Sequence, residues 1–595
     1  MVYSTLRFWM LLGIIAVFGF ILSLANVYHN ILSVLLLVIS LIILLRFCII
    51  LIKKRRVSVD LLMGVAGIVT WYIGAVLEGF LVFALYSMSE LIEHYAEKYA
   101  KRKLVGLREL LPEKVPIQEN GEIREKDLDS INVGDVALIR PGDTVPADGI
   151  IVDGESAFDT SYITGEPELK VLRKGDYVES GYVNKGGLVR VRILKKPKES
   201  LLQLLVMEAE KALARKASIQ KFIERFSQPY TILILILFTL ASIIIMPYRA
   251  LAILLAGCPS AFIISSATST ALAIALLARK SVVVHGGIVL ENASKSKILV
   301  LDKTGTVTLG KLKIVRTMVA NNLSKDEVLK LAGGAAKASN HPVAKAIAEL
   351  SDLIPEKAIE YPGKGVKAVV NGKTVLIGSR RFFEEEGVHV SGNLKCEVGE
   401  REVLVAINHR FSGIVCLGEE VSKNVREIIF SLKNMGLKLI MASGDVKDRV
   451  EKVAKLLSIK EYYASMGPFE KMELIRRLKT TYKNVAMVGD GINDVEALAE
   501  ANVGIAIGDL SVVSSVADVI MPRGIDKLPE FFQTSKRYMA SLYVSMALAL
   551  TIKLAVMLAG LVGLLPLWAI VGIGDDGSTL VALGVIGLMM IKKKP

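Results

Sequence analysis

Long apolar runs recur at both ends of the chain and around residue 250, with ordinary mixed sequence between them. A helix needs about 20 apolar residues to cross the roughly 30 Å hydrocarbon layer of a bilayer. Residues 8–27 qualify, and so do 31–52, where Arg46 lies near enough to the end of the run to snorkel. Residues 232–246 and 250–278 form a pair about Pro247, and 538–560 and 566–591 form a last pair that ends in Lys592, Lys593 and Lys594. The stretch 60–98 reads as one long helix, or as a tight hairpin turning near Gly74 whose second arm runs on amphipathically.

Between the apolar blocks lie two insertions of different character. Residues 99–227 alternate short apolar runs with turn signals such as Pro141-Gly142-Asp143 and Asp148-Gly149, which predicts strands. From 199 to 227 the pattern turns helical and leads toward the next apolar block. In 279–537, strands at 297–301, 437–442 and 485–488 alternate with helical patterns, which predicts a doubly wound parallel sheet. Residues 312–417 carry their own strands and helices and read as an insertion into that sheet.

The 595 residues are 52% hydrophobic, high for a soluble protein, and that share collects in the blocks described above. The net charge of +14 raises the question of a nucleic-acid partner. With 6% aromatic residues and no aromatic-interleaved basic face, none is expected. The basic residues instead flank apolar blocks, as in Lys53, Lys54, Arg55 and Arg56, where they set topology. Cys48, Cys258, Cys396 and Cys416 form no CxxC, so neither a disulfide framework nor a zinc knuckle is predicted, and Cys48, Cys396 and Cys416 read as packing residues. No small-residue cleavage site follows the first apolar run, which reads as a retained helix.

The chemistry collects at strand ends. A buried-type strand ends in Asp302-Lys303-Thr304-Gly305-Thr306, and a carboxylate at the carboxyl end of a parallel strand sits where α/β folds bind their ligands. Asp302 suits attack on a γ-phosphate. Ser443, Gly444 and Asp445 follow the next strand and offer a hydroxyl and amides for phosphoryl oxygens. Lys471 supplies a point charge. Asp490 and Asp494, in Gly489-Asp490-Gly491-Ile492-Asn493-Asp494, offer carboxylates for Mg²⁺, which prefers few carboxylates plus phosphate oxygens. In-line phosphoryl transfer needs such charges about one centre.

In this order the motifs resemble the haloacid-dehalogenase phosphotransferases, and the five residues from Asp302 to Thr306 resemble their P-type ATPase branch. The resemblance covers nearly the whole chain. It implies a multidomain α-helical membrane protein with a β-rich actuator domain. It also implies a haloacid-dehalogenase-like α/β phosphorylation domain that carries an inserted α/β nucleotide-binding domain. The expected divisions are transmembrane helices in 1–98, 228–278 and 538–595, actuator and linker in 99–227, phosphorylation domain in 279–311 and 418–537, and nucleotide domain in 312–417. The soluble phosphatases of this superfamily carry a second Asp two residues after the nucleophile; Thr304 stands there, so an aspartyl phosphate should persist. Thr164-Gly165-Glu166-Pro167 looks like the loop whose Glu166 positions the hydrolytic water. His341-Pro342, with Gly363 and Gly365, resembles the adenine-side contacts of the heavy-metal (type IB) branch, although Asn340 stands where Glu is usual. ATP and Mg²⁺ are the implied cofactors. ATP requires the soluble regions and both basic clusters to be cytoplasmic, and only the hairpin reading of 60–98 keeps them on one side. Eight spans follow, in the cell membrane, with both termini inside.

The cation is addressed by Gly257-Cys258-Pro259-Ser260. Pro259 opens its helix and crowds the carbonyl at Leu255, leaving a free carbonyl beside a thiol inside the membrane. Counting about 1.5 Å per residue from the outer span ends puts Cys258, Lys553 and Asp575 at one depth near the middle of the bilayer. The zinc/cadmium/lead exporters resemble this arrangement, with a Cys-Pro helix, a Lys, an Asp followed by Gly, and a Glu for which Glu78 is the candidate. Ser260 stands where they usually carry a second Cys, which makes the site harder and admits cobalt, nickel or iron. No N-terminal metal-binding domain with CxxC is found, delivery is expected at the membrane, and a monomer is expected. Copper or potassium pumping, or a membrane-anchored phosphatase, are the alternatives. Exporting a dication against 100 mV costs about 4.6 kcal/mol, and a tenfold gradient adds about 1.4 kcal/mol, which an ATP-coupled cycle meets.

Overall fold

The computed structural model describes residues 2–25, 29–54, 58–105, 111–119, 122–160, 169–320, 324–390, 394–397, 400–421, 424–490, 494–508, 517–522 and 524–591. The chain divides into two compact units, Met1–Lys295 with Glu530–Pro595, and Ser296–Pro529.

The first unit opens with helices α1 (Val2–Leu24), α2 (His29–Lys54), α3 (Asp60–Tyr72) and α4 (Val76–Val105). Between α3 and α4 the chain reverses at Gly74, whose φ of +76° is a left-handed conformation open to glycine at no steric cost. The 13 residues of α3 reach only about 20 Å. Six other described helical stretches are long and apolar enough to cross a membrane. Arg46 does not snorkel. Its guanidinium lies 3.6 Å from Asp60 and 4.2 Å above the Trp9 ring, while Tyr86 donates a hydrogen bond to Asp60 at 3.0 Å. Sequence alone placed Arg46 by its distance from the end of its own helix; its partner belongs to the next one. Cys48 does not pack either, since it is exposed.

Residues 114–193 form short strands in two antiparallel sheets, as the turn signals predict. Helix α5 (Leu201–Ala214) follows, then α6 (Ser218–Ile244), which begins well before its apolar run and continues through Pro229. The next span is broken into α7 (Pro247–Ala256) and α8 (Ser260–Ala278). Gly257 donates back to Ile253, and the ladder restarts only where Phe262 donates to Pro259, because proline has no N–H and its ring crowds the preceding turn. Of this span's most apolar window 83% is buried, against 17% for α6, so the broken helix occupies the middle of its unit. Helix α9 (Leu528–Leu561) packs along it through small polar residues, Ser269 against Ser541 at 2.9 Å and Thr270 against Tyr538 at 3.1 Å. The last span has a widened turn at Ile570–Gly577 before α10 (Ser578–Ile591).

In the second unit a parallel sheet contains β1 (Ile298–Asp302), β2 (Lys438–Ala442), β3 (Glu461–Tyr463), β4 (Val485–Gly489), β5 (Val503–Ile507) and β6 (Val519–Met521), in the spatial order β6-β5-β4-β1-β2-β3. Every residue of β1 is buried, as expected of a strand covered on both faces. The insertion forms a six-stranded antiparallel sheet. Its first and last strands in the chain, Thr308–Val319 and Arg410–Val421, pair with each other, so the insertion enters and leaves along one ribbon that overruns 312 and 417 at both ends. Cys396 and Cys416 are joined by a disulfide, Cα atoms 5.6 Å apart, against the expectation of separate packing thiols. Their spacing gave no sign of it, because the pairing arises from the fold of the insertion.

Gly365 and Gly378 face each other on neighbouring strands of the insertion. A Cβ on Gly378 would stand 2.6 Å from the Lys364 carbonyl oxygen and 2.8 Å from the Phe382 ring. Gly378→Ala therefore forces the strands apart at a cost of about 1–3 kcal/mol. Differential scanning calorimetry should show the transition that contains this sheet moving to lower temperature, and ATP half-saturation should rise.

Candidate functional site

Three parallel strands end at one place. β1 lies between β2 and β4, so Asp302, Ser443 and Asp490 leave adjacent strand ends. Asp302 is 4% exposed. Lys471, on the helix Pro468–Tyr482, donates to Asp302 Oδ1 at 2.6 Å and to Asp494 Oδ1 at 2.7 Å. Gly489 makes the second contact feasible, since any Cβ there would stand 2.8 Å from the Asp494 carboxyl carbon. Gly305, at φ +73°, turns the chain beside Asp490, with 3.4 Å from its Cβ position to that of Asp490.

Lys303 does not face the nucleophile. It is buried and pairs with Asp445 at 2.9 Å, and the Asp445 amide donates to Ser443 Oγ at 3.2 Å. Thr304 is exposed. Burial pushes the Asp302 carboxyl up to about 6, with the neighbouring Asp494 charge adding to the effect and Lys471 opposing it. Asp494 is also raised, by burial first. For Lys471 the cost of burial is outweighed by the charges of Asp302 and Asp494, which hold its ammonium above the usual lysine value. For Asp445 the cost of burial is outweighed by Lys303, which holds it below the carboxylate range.

Asp302, Asp490 and Asp494 thus gather about one lysine, and Asp494 Oδ2 is buried without a hydrogen-bond partner among the described residues. This shortage of positive charge fits a hard dication such as Mg²⁺, which Asp302 and Asp490 would hold with Asp494 behind them.

The inserted sheet has a cleft of about 230 Å³ lined by Ser339, His341, Glu360, Gly363, Lys364 and Gly365 among others. His341 caps the helix Pro342–Ala348 by accepting from the Val343 amide at 3.3 Å, and Pro342 fills the first helical position. The pair is a helix start and a cleft wall at once. Gly363 turns at φ +70°, and Gly365 pairs directly with Gly378 on the neighbouring strand, both in the cleft lining. Asn340 is exposed and is not among the lining residues.

In the first unit Asp575 receives Lys553 at 2.8 Å and Ser260 Oγ at 2.7 Å, both on Oδ1, and all three are buried. Cys258 is fully buried at the break between α7 and α8. Gly574 lets the widened turn approach, its Cβ position being 3.0 Å from Val556 and 3.3 Å from Ala256. Glu78 is half-buried in the first turn of α4, and no described hydrogen bond or ion pair joins it to this cluster. Thr164, Gly165 and Glu166 lie outside the described residues; the flanking strands Ser156–Asp159 and Leu169–Leu172 pair with each other.

The model of haloacid dehalogenase-like hydrolases matches residues 296–502, and that of the P-type ATPase actuator domain matches 109–210. The "Cadmium-transporting ATPase" of Staphylococcus aureus is 30% identical over 90% of this chain and 77% of its own. The chain belongs to the P-type ATPases. A "Zinc-transporting ATPase" of Synechocystis is 31% identical over 85% of this chain and 73% of its own. A solved zinc-transporting PIB-type ATPase in the E2.Pi state superposes with a TM-score of 0.63 at 28% identity, covering 98% of this chain and 99% of that one.

Sequence reasoning missed three features of this ATPase. Gly378 lines the cleft of the insertion opposite Gly365, a pairing set by strand register. Glu360 accepts from Ser339 Oγ at 2.6 Å on the cleft wall. Asp576 stands between Asp575 and Gly577, so the Asp is not followed directly by Gly, and the second carboxylate was itself the signal.

Lys471→Met leaves Asp302 and Asp494 buried without their cation. Loss of one partner of a buried pair costs about 3–5 kcal/mol, so the midpoint of denaturant unfolding should fall accordingly and phosphoenzyme formation should be lost. As a nucleophile Asp302 would react as the carboxylate, and its raised value makes the unreactive acid dominate as pH falls below about 6. Phosphoenzyme formation should therefore decline with a half-point near pH 6 at limiting Mg²⁺, and saturating Mg²⁺ should move that half-point lower.

Proposed function

We propose that this ATPase exports a divalent heavy-metal cation of the zinc, cadmium and lead kind, cobalt included, through an aspartyl phosphate at Asp302. The observation that carries the reading is the membrane cluster, in which a lysine and a serine hydroxyl hold one carboxylate beside a thiol at a helix break. Ionisable groups buried at membrane depth are costly and mark ion paths. The names of the cadmium- and zinc-transporting relatives support it.

In this reading Asp302 attacks the γ-phosphate of ATP held with His341, Pro342, Gly363 and Gly365 at the base side, and ADP leaves. Ser443, the amides of Gly444 and Asp445, and Lys471 take the phosphoryl oxygens, while Lys303 fixes Asp445 in place. Asp302 and Asp490, with Asp494 behind, would hold Mg²⁺, which would supply charge neutralisation for the transfer. With Thr304 rather than a second Asp beside the nucleophile, hydrolysis waits for Glu166 to bring water. Chemistry then follows a conformational step, as coupled transport requires. At the membrane site Cys258, Ser260 and Asp575 take the cation, Glu78 lies on the way out, and Lys553 reclaims Asp575 once the cation has gone. Both termini lie in the cytoplasm, and one copy of the chain makes a complete pump.

The test is acid-quenched labelling with γ-labelled ATP together with ATPase assays over Zn²⁺, Cd²⁺, Pb²⁺, Co²⁺, Cu⁺ and K⁺. Divalent metals should stimulate turnover, label should vanish in Asp302→Asn, and Cys258→Ala and Lys553→Ala should lose metal stimulation. Stimulation by Cu⁺ or K⁺ alone would assign a different cargo, and absence of acid-stable label under every condition would overturn the pump reading.

A further inference from the structure

Asp575 is held in the structure, its Oδ1 accepting from both Lys553 and Ser260. Its neighbour Asp576 is not. Asp576 is 6% exposed and, among the described residues, neither of its oxygens accepts a well-formed hydrogen bond, although the Ser89 hydroxyl of α4 lies near enough to interact with it. Thr579, one turn on, is 2% exposed and its hydroxyl is likewise unpartnered. A carboxylate at membrane depth with no bonded partner is among the costliest groups a protein can hold, and such groups persist where a ligand repays them.

The local backbone keeps Asp576 inside with Asp575. In a regular helix adjacent side chains diverge by about 100°, so one of two neighbours usually faces outward. In the widened turn Ile570–Gly577 both Asp575 and Asp576 are buried, while Ile573 is exposed. Such wide turns re-aim side chains and recur at functional sites. The turn is packed between α4 and α7, and Asp576 lies within electrostatic reach of Asp575 and Lys553.

We propose that Asp576 is a second carboxylate ligand of the transported cation, giving the site two carboxylates and a hydroxyl to one thiol and a preference for harder divalent cations over cadmium. The proposal rests on the exporter reading above. Charge supports it. A dication and the Lys553 ammonium are balanced by two carboxylates and the Cys258 thiolate, whereas Asp575 and the thiolate alone would leave one positive charge buried. Donor type supports it as well, since carboxylate and hydroxyl oxygens favour harder ions and thiolates softer ones.

The test uses the full chain, purified, with Co²⁺ and Cd²⁺ as probes. Asp576→Asn removes the anionic donor and should raise the Co²⁺ concentration for half-maximal ATPase stimulation by about tenfold or more, the loss expected for ligand-sphere changes. The Cd²⁺ value should move less than about threefold, a smaller change because the thiol carries more of that affinity. Asp576→Glu, which keeps the carboxylate, should stay near the parent for both metals, and equilibrium Co²⁺ binding should follow the same order. Equal shifts for both metals, no shift for either, or loss of Co²⁺ response in Asp576→Glu as severe as in Asp576→Asn would overturn the assignment. If the parent chain responds to no divalent metal, the exporter reading itself fails, an outcome separate from these.

Discussion

A carboxylate buried away from water must be matched by a positive charge, and at both chemically active places in this chain the match is a lysine. Lys471 spans Asp302 and Asp494, and Lys553 holds Asp575. Neither lysine is a sufficient partner. Asp302 is raised despite Lys471, and among the described residues Asp576 accepts no well-formed hydrogen bond despite its nearness to Lys553. Each site is therefore folded around a deficit of positive charge. The lysine lowers the cost of folding each cluster, and the remaining deficit is one that a dication would fill. A site balanced completely by its own residues would gain little by binding, and one with no lysine would be too costly to fold.

Backbone interruptions serve that arrangement. β1 ends at Asp302 and is followed by Gly305 in a left-handed turn; α7 stops at Ala256 and α8 resumes at Ser260; the final span widens at Ile570–Gly577. In each case a regular element delivers a side chain to a fixed point and then yields, so that backbone polar groups and a charged side chain face the same small volume. The glycines at 489 and 574 are the close-packing counterpart, because each lets a carboxylate-bearing segment approach where a Cβ would collide or crowd.

Much of this was legible in the sequence, for an identifiable reason. Asp302, Ser443 and Asp490 each follow a short apolar run, and parallel sheets bring strand ends together whatever the intervening length. Cys258, Lys553 and Asp575 were related by counting helical rise, because a bilayer gives a common origin for depth. What escaped depended on contacts between elements. Arg46 was judged by its own helix, although Asp60 holds it. Cys396 and Cys416 meet through the fold of the insertion. Gly378 matters through the register that sets it opposite Gly365. The widened turn that buries Asp575 and Asp576 together has no signature in the order of residues.

The sheltered position of the span 247–278 bears on how the molecule is made. Its broken backbone and its thiol cannot rest against lipid, yet α9, which meets it through Ser541 and Tyr538, begins roughly 250 residues later in the chain. At about 5–20 residues per second of synthesis, that span waits on the order of ten seconds to a minute for its neighbour. During biogenesis it must remain in a protected, non-lipid environment such as an insertion machinery, or lean on the earlier helices, and the Ser260–Asp575–Lys553 cluster closes only when the last two helices arrive.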